Sequence, residues 1–150
     1  MFVDWLFASF HHLAVFSLAA ILSAEIFLTL GPIDDRMALR LARVDAWFGI
    51  MAALALGAGL MRLAFGAKGA DYYLANTFFW LKMALFAAVA VISIAPTFSY
   101  LVWRRRVHAD ASFRPPAREI ARLRRALYAE AGLFALIPLC AAAMARGYGT

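Results

Sequence analysis

The stretch that decides the fold is WLFASFHHLAVFSLAAILSAEIFLTL, residues 5–30, closed by Gly31-Pro32. A bilayer hydrocarbon core of about 30 Å takes roughly 20 apolar residues in helical form. This run exceeds that length, and Gly-Pro stops a helix. Working outward, three more runs meet the same requirement: 46–65, ended by Gly66; 78–103, after the candidate N-caps Asn76 and Thr77; and 126–145. The last helix is expected to begin earlier, with Pro116 at its first position. Ser23 and Ala24 are small enough for a signal-peptide cleavage site, but only Asp4, and no Lys or Arg, precedes the run. A signal peptide wants a positive leading segment, so the first helix is expected to be retained.

Composition agrees with a membrane solvent. The 150 residues are 65% hydrophobic and only 16% charged, against about a quarter charged in a soluble domain. The mean hydropathy is +0.76. A net charge of +6 raises nucleic acid as a partner, but the arginines gather at helix ends, where a bilayer expects them. The expected partner is therefore lipid, with no nucleic acid. The lone Cys140 excludes an intramolecular disulfide. The sequence holds no P-loop, dinucleotide fingerprint, nucleophile elbow or HExxH.

The expected fold class is all-α: an integral membrane four-helix bundle in one domain. Its first loop carries Arg36, Arg40 and Arg43. Its third carries Arg104, Arg105, Arg106, Arg114 and Arg118, continued by Arg122, Arg124 and Arg125. The opposite face has Lys68 and Arg146. This bias places both termini and the 66–77 loop outside, on the non-cytoplasmic side. Trp5, Trp47, Trp80 and Trp103 fall near helix ends, as an aromatic belt requires. Ala53/Gly57 and Ala55/Gly59 let helices approach closely, either within the monomer or at a homodimer seam.

Ionisable side chains inside a bilayer cost roughly 2.5–3.5 kcal/mol each on insertion scales, so each needs a reason. The spans hold His11, His12, Glu25, Arg62, Lys82 and Glu130. His11, His12, Arg62 and Lys82 lie in the outer half; Glu25 and Glu130 lie in the inner half. At about 100° per residue, Glu25 is about 40° from His11 and about 140° from His12. If Glu25 faces inward, His11 does too and His12 does not. Lys82, Ser93 and Tyr100 fall within about 20° of one another, with Pro96 and Thr97 beside them, and Glu130 lies within about 40° of Met144.

These residues have plain readings. Arg62 and Lys82 reach the outer surface by snorkelling, Glu25 and Glu130 pair with Arg43 or Arg104, and His11 donates to a backbone carbonyl. The sharper reading is haem b, whose needs are an imidazole ligand, apolar walls and cations for its propionates. His11, as the iron ligand, with Lys82 and Arg62 supplies them. Copper is the alternative, using His11 and His12 with Met61, Met83, Met144 and Cys140. A proton or solute path through Glu25, Glu130 and Lys82 is a third reading. A non-enzymatic accessory or assembly subunit of a membrane complex is the competing class.

The segments FHHLAVFSLAAILSAEIF, RLARVDAWFGI, FGAKGADYYLANTFFWLKM, SIAPT and IPLCAAAMARGYG resemble an uncharacterised family of bacterial four-span membrane proteins, a domain of unknown function. The likeness covers nearly the whole chain and is most specific from Gly66 to Lys82. It implies the bacterial inner membrane, whose non-cytoplasmic side is the periplasm. More distantly, a first-helix histidine with a lysine opening the third span is similar to HemJ-type protoporphyrinogen oxidases, and to copper-resistance D-type membrane proteins. His11 and Lys82 stand in those places, although FFWLK lacks the histidine of the HemJ run. That resemblance implies haem and redox chemistry.

Overall fold

The computed structural model describes residues 2–66 and 69–149; Lys68, counted above toward orientation, lies outside the described residues. Helices occupy Phe2–Leu30 (α1), Asp35–Phe65 (α2), Ala70–Leu74 (α3), Thr77–Ala109 (α4) and Ala117–Ala145 (α5). α1, α2, α4 and α5 are each long and apolar enough to cross a membrane, and they form an integral membrane four-helix bundle. α1 packs on α2 and α5, and α4 packs on the same two helices, so the four spans stand in a square without diagonal contact.

Local chemistry sets the helix ends. The Asp34 side chain caps α2 by accepting from Met37 N, and the backbone N–H of Gly66 closes it on Arg62 O. Asn76 caps α4 by accepting from Phe78 N and Phe79 N. Asn76 is fully buried because its amide also donates to Tyr148 O at 2.9 Å. The C-terminal turn is thereby tied to the start of α4, and Thr77 N donates to Gly149 O. Gly149 has φ +86°, and a Cβ there would fall 2.7 Å from Phe78, so only glycine suits the position. Pro116 proves to be the N-cap of α5 rather than its first residue, a shift of one position. The short α3 is too brief to show a sequence period.

Lipid tails are as apolar as leucine, so burial of apolar surface contributes little to assembly between spans; close packing and polar contacts carry it. The best-packed part lies toward the arginine-rich end, where Leu41, Tyr100, Trp103 and Leu127 are fully buried. Trp103 corrects the aromatic-belt expectation. It is buried, not at the lipid interface, because its Nε1 donates to Glu119 Oε2 of α5 at 2.7 Å. Trp5, Trp47 and Trp80 are exposed, as a belt requires. Exposed ion pairs join Arg106 to Glu119 at 3.7 Å and Arg114 to Asp35 at 3.9 Å. Such pairs contribute little.

Candidate functional site

The polar side chains of the spans separate into two layers. The first lies near the end that holds both termini and α3. His11 of α1 turns inward while His12 is exposed, as the helical phase anticipates. His11 Nδ1 lies 2.8 Å from Ala55 O of α2. A carbonyl only accepts, so Nδ1 carries the proton and Nε2 is left as the ring's lone-pair atom. The approach depends on Gly59: a Cβ there would fall 3.3 Å from His11 Cε1. The Ala55/Gly59 pair therefore seats a histidine within the monomer. Ala53 and Gly57 are instead exposed in a lipid-facing groove with Phe10 and Leu13.

His11 borders a cavity of about 490 Å³ with Arg62, Lys82, Tyr72 and Met144. That volume lies within the usual range for small-molecule sites, about 300–1,000 Å³. α3 roofs it, held by Tyr72 donating to Met144 O at 3.0 Å. Arg62 Nε is buried without a hydrogen-bond partner. The Lys82 ammonium stands 5.5 Å from the centre of the Phe79 ring, a cation–π contact. Among the described residues neither cation has an acidic partner within ion-pair distance. His11, Arg62 and Lys82 lie within electrostatic reach of one another.

The second layer lies toward the arginine-rich end. Glu25 of α1 and Glu130 of α5 are 2% and 1% exposed. The expected pairing with Arg43 or Arg104 does not occur, because both arginines are exposed and no ion pair among the described residues involves either glutamate. Asp45 of α2 joins them, buried and accepting from Thr97 Oγ1 at 2.9 Å. Sequence reasoning missed Asp45 because it sits one residue before the expected span, beside Arg43. Tyr100 completes the layer, its hydroxyl buried and unpartnered. The half-buried Arg124 is engaged elsewhere, donating through Nε and a terminal nitrogen to Thr29 O.

The residues expected for haem fit such a group chemically. A ligating imidazole usually donates its other nitrogen's proton to a carbonyl or carboxylate, which orients the ring, and His11 does so. Arg62 and Lys82, without an acidic partner among the described residues, supply the positive charge that propionates require. The soft ligands proposed for copper are dispersed. His11, His12 and Met144 share one cavity while Met83 and Met61 border others, and among the described residues no three His, Cys, Asp or Glu side chains group as a metal site.

Fold and site together define a multi-pass membrane protein with two layers of ionisable side chains inside a four-helix bundle. The chain belongs to the family described as "Predicted membrane protein (DUF2214)", which matches residues 3–149. No curated protein and no solved structure matches it significantly.

Proposed function

We propose that the protein binds haem b in the layer around His11, as a redox or haem-handling protein of the bacterial inner membrane with both termini outside. The observation that carries this reading is His11 itself: Nδ1 is anchored on Ala55 O and Nε2 is free beside a cavity holding two anion-less cations. His11 would ligate the haem iron, and Arg62 and Lys82 would hold the propionates. Bound haem supplies one-electron redox chemistry. The chain's own part is to orient the imidazole, neutralise the carboxylates and exclude water beneath α3. The arginine-rich end would face the cytoplasm under the positive-inside rule.

The test is the visible spectrum of the protein purified in detergent after expression with haem supplied, oxidised and then reduced. A Soret band is expected. His11→Ala should abolish it and His12→Ala should leave it. Arg62→Met or Lys82→Met should weaken haem binding about tenfold or more, the worth of a charge-assisted hydrogen bond. Absence of the band would sink the haem reading and leave the accessory-subunit reading; bound copper in metal analysis of the same sample would favour copper handling.

A further inference from the structure

The carboxylate layer serves no purpose in the haem reading, yet every spanning helix contributes to it. Glu25, Asp45 and Glu130 come from α1, α2 and α5, and Thr97 and Tyr100 come from α4. Glu25 lies within electrostatic reach of Asp45 and Glu130, Glu130 of Asp45, and the Tyr100 hydroxyl of all three. Two atoms lack partners: Glu25 Oε1 and the Tyr100 hydroxyl, in residues 2% and 0% exposed. Among the described residues no cation faces the group, since Arg124 is spent on Thr29 O and Arg43 and Arg104 are exposed.

Three ionised carboxylates in this setting would be acceptors only, mutually repelling, with nothing to neutralise them. That arrangement is costly in an apolar medium. A proton on a carboxyl removes the charge and converts one oxygen into a donor, which the group otherwise lacks apart from Tyr100 and Thr97. A metal cation fits less well, because these acids do not close into a ligating trio.

A route leads away from the group. Thr97, which donates to Asp45, borders a cavity of about 80 Å³ together with Ser93. That cavity shares Leu18, Phe86 and Phe134 with a second of about 80 Å³, which His11 and Lys82 line. Each exceeds the ~10–15 Å³ that one water needs, and each offers it polar partners, Ser93 and Thr97 in the first and His11 and Lys82 in the second. We infer that Glu25, Asp45 and Glu130 form a proton-binding site that exchanges protons with the His11–Lys82 layer through the Thr97–Ser93 cavity. A proton leaves the Asp45 carboxyl through the Thr97 hydroxyl, which takes the carboxyl's proton as it passes its own to water in the cavity, and the carboxylate left behind accepts from Thr97 Oγ1 until it is reprotonated. This inference stands whether or not haem binds.

Infrared difference spectroscopy of the full chain in lipid vesicles, in H2O and D2O at neutral pH, tests it without any cofactor. Carboxylic-acid carbonyl bands that shift in D2O are expected, one component being lost in each of Glu25→Gln, Asp45→Asn and Glu130→Gln. Thr97→Val should slow the deuterium shift at least tenfold at unchanged band area. These substitutions preserve size, helicity by circular dichroism checks folding, and three independent variants keep the test decisive if one fails to insert. Three results would each overturn the site: no such band at neutral pH, bands untouched by all three variants, or bands lost on adding sodium at constant pH. An unchanged exchange rate in Thr97→Val would overturn the route.

Discussion

Around His11 the half-buried cations Arg62 and Lys82 stand on the wall of a cavity of about 490 Å³; around Glu25 the buried groups are acids, with the fully buried Tyr100 among them. Fourteen residues of α1 separate the two positions, about 21 Å of helix. Acids and bases that could have paired with one another are thus held apart at two depths. A bundle using ion pairs to lock its helices would place them at one depth. This one leaves Arg62 Nε and Glu25 Oε1 without partners, which costs stability and is what the proposed haem and proton sites would answer.

The sharpest contrast is in packing. Trp103 is fully buried and hydrogen-bonded, whereas Phe79 borders cavities already present. Trp103→Ala should cost about 3–5 kcal/mol, and Phe79→Ala distinctly less, since its surroundings are already incompletely filled. Denaturation in detergent micelles ranks the two. Equal losses would erase the distinction between a packed and an open layer.

A smaller effect concerns the seat of the histidine. Gly59→Val places atoms where the His11 ring lies and should cost about 1–3 kcal/mol by overpacking. Haem binding, read from the Soret band, should fail with it. Gly57→Val, with nothing within 4 Å of its Cβ position, should leave both stability and spectrum near wild type. Matching behaviour of the two variants would mean that Gly59 does not position His11.

Much of this contrast was legible in the sequence, for identifiable reasons. Span length and apolarity are local properties, and a 100° phase places His11 and Glu25 on one face with His12 off it, as the structure has them. Asp45 escaped because its burial depends on Thr97, 52 positions away, and no period within α2 reveals a partner on α4. Trp103 misled for the same reason. A tryptophan before three arginines reads as an interface residue until Glu119 of α5 offers its indole an acceptor. The unpartnered state of Tyr100 is likewise a tertiary fact, although its stripe with Lys82 and Ser93 was visible.

The smallest expected effect lies outside both layers, in the α4–α5 turn. Hydrogen bonds from the Ser112 hydroxyl and backbone N–H hold the Asp110 carboxyl below the usual aspartate range. A carboxyl depressed in the folded state contributes stability above its unfolded value and loses it as pH falls through the folded one. Amide exchange at Ser112 and Phe113 should therefore quicken only in acid, and Asp110→Asn should remove that dependence. Because Asp110 is fully exposed, global stability should hardly move. A large shift in global unfolding would mean that the turn, rather than the layers, governs the bundle.

In the proposed reading the unpaired ionisable groups of the two layers serve ligands, haem in one and protons in the other, and do not hold the helices together. The thermal unfolding midpoint of a Lys82→Met/Glu25→Gln double variant, set against Leu127→Ala in the same detergent, tests it most directly. Removing an unpaired cation and keeping a neutral polar group at Glu25 should leave the midpoint at or above wild type, while truncating the fully buried Leu127 should lower it markedly. A double variant that falls as far as Leu127→Ala would show that these charges are structural, and would contradict the account.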